Sequence, residues 1–215
     1  MATAATTHDF NIVTSDHSLG RNLPQRMGRI LWLPMWGMAA MAFTVGFILA
    51  IVRANEIADL PAGVTADDTT WALKHVVAGF MFLGFASVFA SISFAIARIL
   101  GEFRKGGGDI QESTGRTVQT LKMPLTAQLF IATMAMAMMT IVVAVVLHFV
   151  FAADIDNTAA SLKDAEERFI VLEGVRRLGI AMYLISFMLG LGTIIEVLRF
   201  QAIRIRQLPG EATRS

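Results

Sequence analysis

The sequence predicts an all-α integral membrane protein, a four-helix bundle made of two transmembrane hairpins, with the N and C termini cytoplasmic. Three observations predict it. Of 215 residues, 55% are hydrophobic and only 16% charged, with a mean hydropathy of +0.60, a balance too apolar for an ordinary soluble domain. Four apolar runs each reach the roughly 20 helical residues that cross a hydrocarbon core. Lys and Arg divide unevenly between alternate loops, 12 against 6, and cytoplasmic loops carry the excess.

Residues 1–30 form a polar cytoplasmic tail with Arg21, Arg26 and Arg29, and with His8 and His17. The first span, 31–52, has Pro34 in its first turn and Trp32 and Trp36 at the level of an interfacial aromatic belt. It follows a long polar tail and exceeds a signal-peptide apolar core, so it reads as a retained anchor. The second span, 76–97, ends at Arg98. The third, 125–151, follows Pro124 and is long enough to tilt. The fourth is 178–198, completing a transmembrane domain over 31–199, and 200–215 form a second cytoplasmic tail.

The connections are polar. The middle one, GEFRKGGGDIQESTGRTVQTLKMP, is glycine-rich but lacks the Gly-Lys-Ser/Thr pattern of a phosphate cradle, so it reads as a solvated linker. In the second outer loop Ser161 stands three residues before Asp164, a helix-start pattern that projects the fourth helix beyond the membrane before it enters.

Helical spacing then assigns faces. On the second span Gly79 lies on one small-residue stripe, shared with His75, Ala86, Ala90, Ser93 and Ala97, and Gly84, Ser87 and Ser91 lie on the opposite one. Gly179, Ser186 and Gly190 make a third stripe on the fourth span. Small residues let helix backbones approach closely in lipid, so these stripes are predicted packing surfaces. His148, inside the run TIVVAVVLHFVFAADID, shares a face with Phe130, Met134, Ala137, Ile141 and Ala144. An imidazole at that depth needs a partner.

Antiparallel crossing brings His75 and His148 to similar depth, with Glu173, Arg176 and Arg177 nearby on the fourth helix. One reading is a b-type haem held by His75 and His148 as axial ligands, with Lys74, Arg176 or Arg177 on its propionates. A second is a copper or zinc ion on His75, His148 and Glu173. The third gives both histidines structural hydrogen bonds.

Other features carry less chemistry. The run MAMAMM holds no second methionine cluster opposite it and reads as flexible packing. Glu196 has Arg199 three residues on as a local partner, and Gln128 reads as an interhelical hydrogen-bond donor. The absence of cysteine removes disulfides, thiolate metal sites, iron–sulfur clusters and covalently attached c-type haem. No nucleophile–base spacing, dinucleotide fingerprint or midplane carboxylate pair is present, and the basic loops lack the aromatic interleaving of a nucleic-acid surface.

The expected function is a non-catalytic accessory or anchor subunit of a larger membrane complex in a bacterial inner (cytoplasmic) membrane. Its partners are the lipid bilayer and other membrane subunits or further copies of the chain. A haem-b electron-transfer subunit is the alternative, and a small transporter or channel the second alternative, for which the apolar helix centres offer no polar path.

Overall fold

The computed structural model describes residues 10–212. His8 and Arg214 lie outside them. The elements in order are β1 (Ile12–Ser15), α1 (Leu23–Ala58), α2 (Asp68–Ser113), β2 (Val118–Leu121), α3 (Leu125–Ala152) and α4 (Ala159–Ala212). All four helices are long and apolar enough to cross a membrane. Half of the apolar stretch of α2 is buried against 17% of that of α1, so α2 is much the more enclosed of the two.

Three helices begin with side-chain caps, reciprocal at α1 and α2, that satisfy otherwise unpaired amides of the first turn. At α1 the Gln25 N–H donates to Asn22 Oδ1 and the Asn22 N–H to Gln25 Oε1. At α2 the Thr70 N–H donates to Asp67 Oδ1 and the Asp67 N–H to Thr70 Oγ1. At α4 the cap is Thr158, whose Oγ1 accepts from the Ser161 N–H, while Ser161 Oγ accepts from the Asp156 N–H. Ser161 is therefore the third helical residue rather than the predicted start. Caps of this kind lengthen α1 and α2 well beyond their apolar runs.

The predicted linker after residue 98 is different in the structure. Helix α2 continues through Gly106, Gly107 and Gly108 to Ser113, although each glycine costs about 1 kcal/mol of helix propensity relative to Ala. Two of the three have close neighbours: a Cβ at Gly107 would displace the Gln201 amide, and one at Gly108 would stand tightly at 3.1 Å from Ser18 Cβ. The helix stops at Gly115, whose φ of +67° places it in the left-handed region. There the Arg116 N–H returns to the Gln111 carbonyl and the Gly115 N–H to that of Glu112, a Schellman closure.

The chain divides into two compact units. Among the described residues the first comprises 10–32, 92–132 and 185–212; the second comprises Leu33–Ser91 and Thr133–Leu184. In the first unit, β1 and β2 pair antiparallel with Ile12 opposite Leu121 and Ser15 opposite Val118. An isolated two-stranded ribbon is marginal in water. This one is anchored by fully buried Val118 and by Gln111, whose amide nitrogen donates to the Gln119 carbonyl and whose oxygen accepts from the Gln119 N–H and from Arg204 Nε. Helices approach closely here: a Cβ at Gly28 would sit 2.5 Å from the Phe94 carbonyl oxygen, and one at Gly190 3.1 Å from Ile96. Ser186 Oγ donates to the Phe130 carbonyl at 3.5 Å.

The second unit is packed in the same manner. Gly84 faces the Phe43 ring, Gly79 faces Phe149, and Gly179 faces Ile141 so tightly that an added Cβ would overlap its Cγ1. Ser87 and Ser91 are buried, with Ser87 Oγ donating to the Leu83 carbonyl one turn back. Along α4 the buried positions recur every seven residues. Ala165, Leu172, Gly179, Ser186, Thr193 and Phe200 form one row, and Arg176, Tyr183 and Gly190 the row beside it, which half-buried Val197 and buried Arg204 continue. That spacing is the seam of a heptad helix, with two arginines set into it.

Candidate functional site

The densest buried polar cluster of the second unit is formed by His75 on α2, His148 on α3 and Arg176 on α4. Both imidazoles are fully buried and Arg176 is 3% exposed. His75 Nδ1 and His148 Nδ1 lie 3.1 Å apart, His148 Nε2 is 3.0 Å from Arg176 Nη1, and His75 Nε2 is 3.2 Å from the Ala165 carbonyl oxygen.

The two ends of this chain determine every proton in it. A guanidinium only donates and a carbonyl only accepts. Arg176 therefore donates to His148 Nε2, which places the His148 proton on Nδ1. That N–H donates to His75 Nδ1, leaving the His75 proton on Nε2, from which it reaches Ala165. Each ring carries one proton, and no ring nitrogen is left over. The chain ties α2, α3 and α4 together by one continuous directional set of hydrogen bonds.

Aromatic rings enclose it. Phe169 packs edge-on against both imidazoles, at centroid distances of 5.3 and 5.7 Å. The Arg176 guanidinium carbon lies 4.0 Å from the Phe82 ring centre and 5.1 Å from that of Phe169. Its Nε has no hydrogen-bond acceptor, and among the described residues no carboxylate pairs with it. The ring faces supply the compensating negative potential. Lys74 covers the same aromatic group from the rim, with its ammonium 3.8 Å from the Trp71 centroid and 4.4 Å from that of Phe169.

Haem ligation by His75 and His148 needs one free nitrogen from each ring, on opposite faces of the macrocycle. Here the rings meet Nδ1 to Nδ1 and both Nε2 atoms are engaged, so the arrangement does not fit that group. Of the two arginines assigned to propionates, Arg176 joins the chain, whereas Arg177 is exposed and pairs with Glu173. Glu173 is thereby turned to its own helix surface and does not complete a three-ligand set. Among the described residues no group of three or more His, Asp or Glu is placed to hold a metal ion.

Sequence reasoning missed Phe169, Phe82 and the Ala165 carbonyl. The signal for Phe169 was its place on α4, four residues after Ala165 and seven before Arg176, on the same face. Two further expectations change. Glu196 accepts from Thr126 Oγ1 at 3.2 Å and makes no ion pair with Arg199, while Gln128 donates to the nearby Met123 carbonyl rather than to another helix. His17 lies 3.3 Å from the exposed Glu112 carboxylate, which also accepts from the Ser18 N–H. Those bonds, the Ser18 amide first, hold the Glu112 carboxyl below its ordinary range.

In comparisons with known protein families, curated proteins and solved structures, none matches the chain.

Proposed function

We propose that the chain is an integral membrane protein with both termini cytoplasmic, and that it serves a larger membrane complex as a non-catalytic anchor or accessory subunit. The observation that supports the reading is helix length. Helices α2 and α4 contain 46 and 54 residues, or about 69 and 81 Å at about 1.5 Å per residue. A hydrocarbon core is about 30 Å thick, so more than half of each helix extends beyond it on this reading. The stretch of α4 before residue 178 bears an exposed apolar pair, Ile170 at 61% and Val171 at 66% exposure, among exposed charged residues that include Lys163, Asp164, Glu166, Glu167 and Arg177. Apolar residues outside lipid are suited to protein contact. The closed histidine chain supports the same reading, because it uses both buried histidines of the second unit to join helices. The 12-to-6 asymmetry of Lys and Arg supports the orientation, and short loops favour a bacterial cytoplasmic membrane as the setting.

The test is a photoreactive residue at Val171, with Met188 as the lipid-facing control, in protein expressed at native level and purified in mild detergent. The expected result is a stoichiometric complex with one membrane subunit cross-linked from position 171 and not from 188. A band at twice the chain mass identifies that subunit as a second copy. A monodisperse single chain with no cross-link from 171 overturns the proposal.

A further inference from the structure

The first unit encloses a partly open cavity of about 90 Å³ with two different kinds of wall. Ala127, Ile131, Val197 and Phe200 make it apolar, while Arg104 and Thr120 bring polar groups to it. Arg104 Nε and Thr120 Oγ1 are both buried, and neither has a hydrogen-bond partner in the fold. Thr120 is only 5% exposed, and no carboxylate among the described residues pairs with Arg104. Two buried donors without partners in one cavity call for an acceptor, since each unmade bond costs about 1–3 kcal/mol.

We propose that this cavity binds an anionic lipid, with a head-group oxygen on Arg104 Nε and Thr120 Oγ1 and part of an alkyl chain against Ile131, Val197 and Phe200. Water alone satisfies the two polar atoms but leaves the apolar wall wet, whereas a ligand with a charged oxygen and a hydrocarbon chain satisfies both. An engineered apolar cavity of about 150 Å³ holds benzene, so about 90 Å³ takes a few chain carbons, the remainder leaving by the open side. The position agrees with this chemistry. Ala97, Ala127 and Val197, all in the lining, fall at the cytoplasmic ends of the second, third and fourth predicted spans, where head groups lie. The inference rests on the membrane insertion proposed above and not on the accessory role.

The head group can come from a bilayer phospholipid or from a free fatty acid, and one experiment separates them. The full chain, purified in neutral detergent and delipidated, is incubated with phosphatidylglycerol, phosphatidylcholine or oleate, and retained molecules are counted by native mass spectrometry. One molecule of phosphatidylglycerol, retained about tenfold better than phosphatidylcholine, identifies the phospholipid; retention of oleate alone identifies the fatty acid. Arg104→Gln is expected to lower retention about tenfold or more, the loss of one charge-assisted hydrogen bond, and Thr120→Val to lower it less. Equal retention of charged and zwitterionic lipid, no retention at all, or a ratio unchanged in Arg104→Gln overturns the proposal. If Arg104→Gln does not fold, a diazirine on the acyl chain decides with the unaltered protein. Labelling near Ile131 and Val197 supports the site, and labelling confined elsewhere overturns it. Failure of membrane insertion is read separately, from the accessibility of single cysteines introduced by Thr65→Cys and Thr117→Cys.

Discussion

Replacing His148 by Leu tests the hydrogen-bond chain most sharply, because the change conserves volume approximately and removes two bonds at once. It deletes the donor to His75 Nδ1 and the acceptor for Arg176 Nη1. Each buried group left unpaired costs about 1–3 kcal/mol, so the expected loss is about 4 kcal/mol. His75→Leu orphans the His148 Nδ1–H and removes a second bond only to a helical carbonyl, so about 2 kcal/mol is expected. The double variant leaves Arg176 as the main unpaired group and should cost no more than His148→Leu alone, a coupling of about 2 kcal/mol. Adding Arg176→Met removes the last unpaired donor and should recover stability. The assay is denaturant unfolding in detergent, followed by tryptophan fluorescence with Trp71 as the nearby reporter. Strictly additive costs for His75→Leu and His148→Leu would refute the reasoning, since independent side chains add and members of a chain do not.

Gly28→Ala should lower stability by about 1–3 kcal/mol, because the new methyl meets the Phe94 carbonyl oxygen and the Arg98 nitrogen. Gly192→Ala, with no atom near its Cβ position, should be neutral or gain up to about 1 kcal/mol, and thermal unfolding of the pair checks both. The Thr158 hydroxyl and amide hold the Asp156 carboxyl below its ordinary range. Its contribution to the α4 cap is therefore fully present above the ordinary carboxylate pKa and is lost as pH falls through the lower folded value. Hydrogen exchange at Thr158 to Ser161 should speed up over that acid window, and in Asp156→Ala should be fast throughout. The chain lacks cysteine, so Thr65→Cys and Thr117→Cys make clean topology probes. An impermeant maleimide added outside intact cells should label position 65 and not 117; the reverse pattern inverts the orientation.

The apolar runs made the four helices legible, since some 20 residues without charge leave few alternatives. Their ends were harder to read, because caps depend on local polar pairs that hydropathy averages away. The pattern Asn22-Leu-Pro-Gln25 is a capping box with proline in the first turn, and it starts α1 eight residues before the apolar run. The glycines at 106–108 read as a linker by propensity, yet tertiary contact with Gln201 and Ser18 favours small residues inside a helix. Strands β1 and β2 are four residues each and more than 100 residues apart, so no local signal announces their pairing. The α4 seam was legible only in its small residues, Gly179, Ser186 and Gly190; Arg176 and Arg204 occupy buried heptad positions that a search for apolar or small-residue periodicity counts as solvent-facing. His75 and His148 were legible as a pair at one depth. Their Nδ1-to-Nδ1 contact was not, because ring orientation is set by Arg176 and Ala165 on a third helix.

The most direct test of the central claim, that the buried histidines join helices rather than hold a cofactor, is ¹⁵N NMR of histidine-labelled protein purified gently from native membranes. The account predicts two singly protonated rings, His148 carrying its proton on Nδ1 and His75 on Nε2, with a hydrogen-bond coupling between the two Nδ1 atoms. A doubly protonated ring at either position, or signals displaced or broadened by a bound metal or haem iron and restored in His148→Ala, would contradict it.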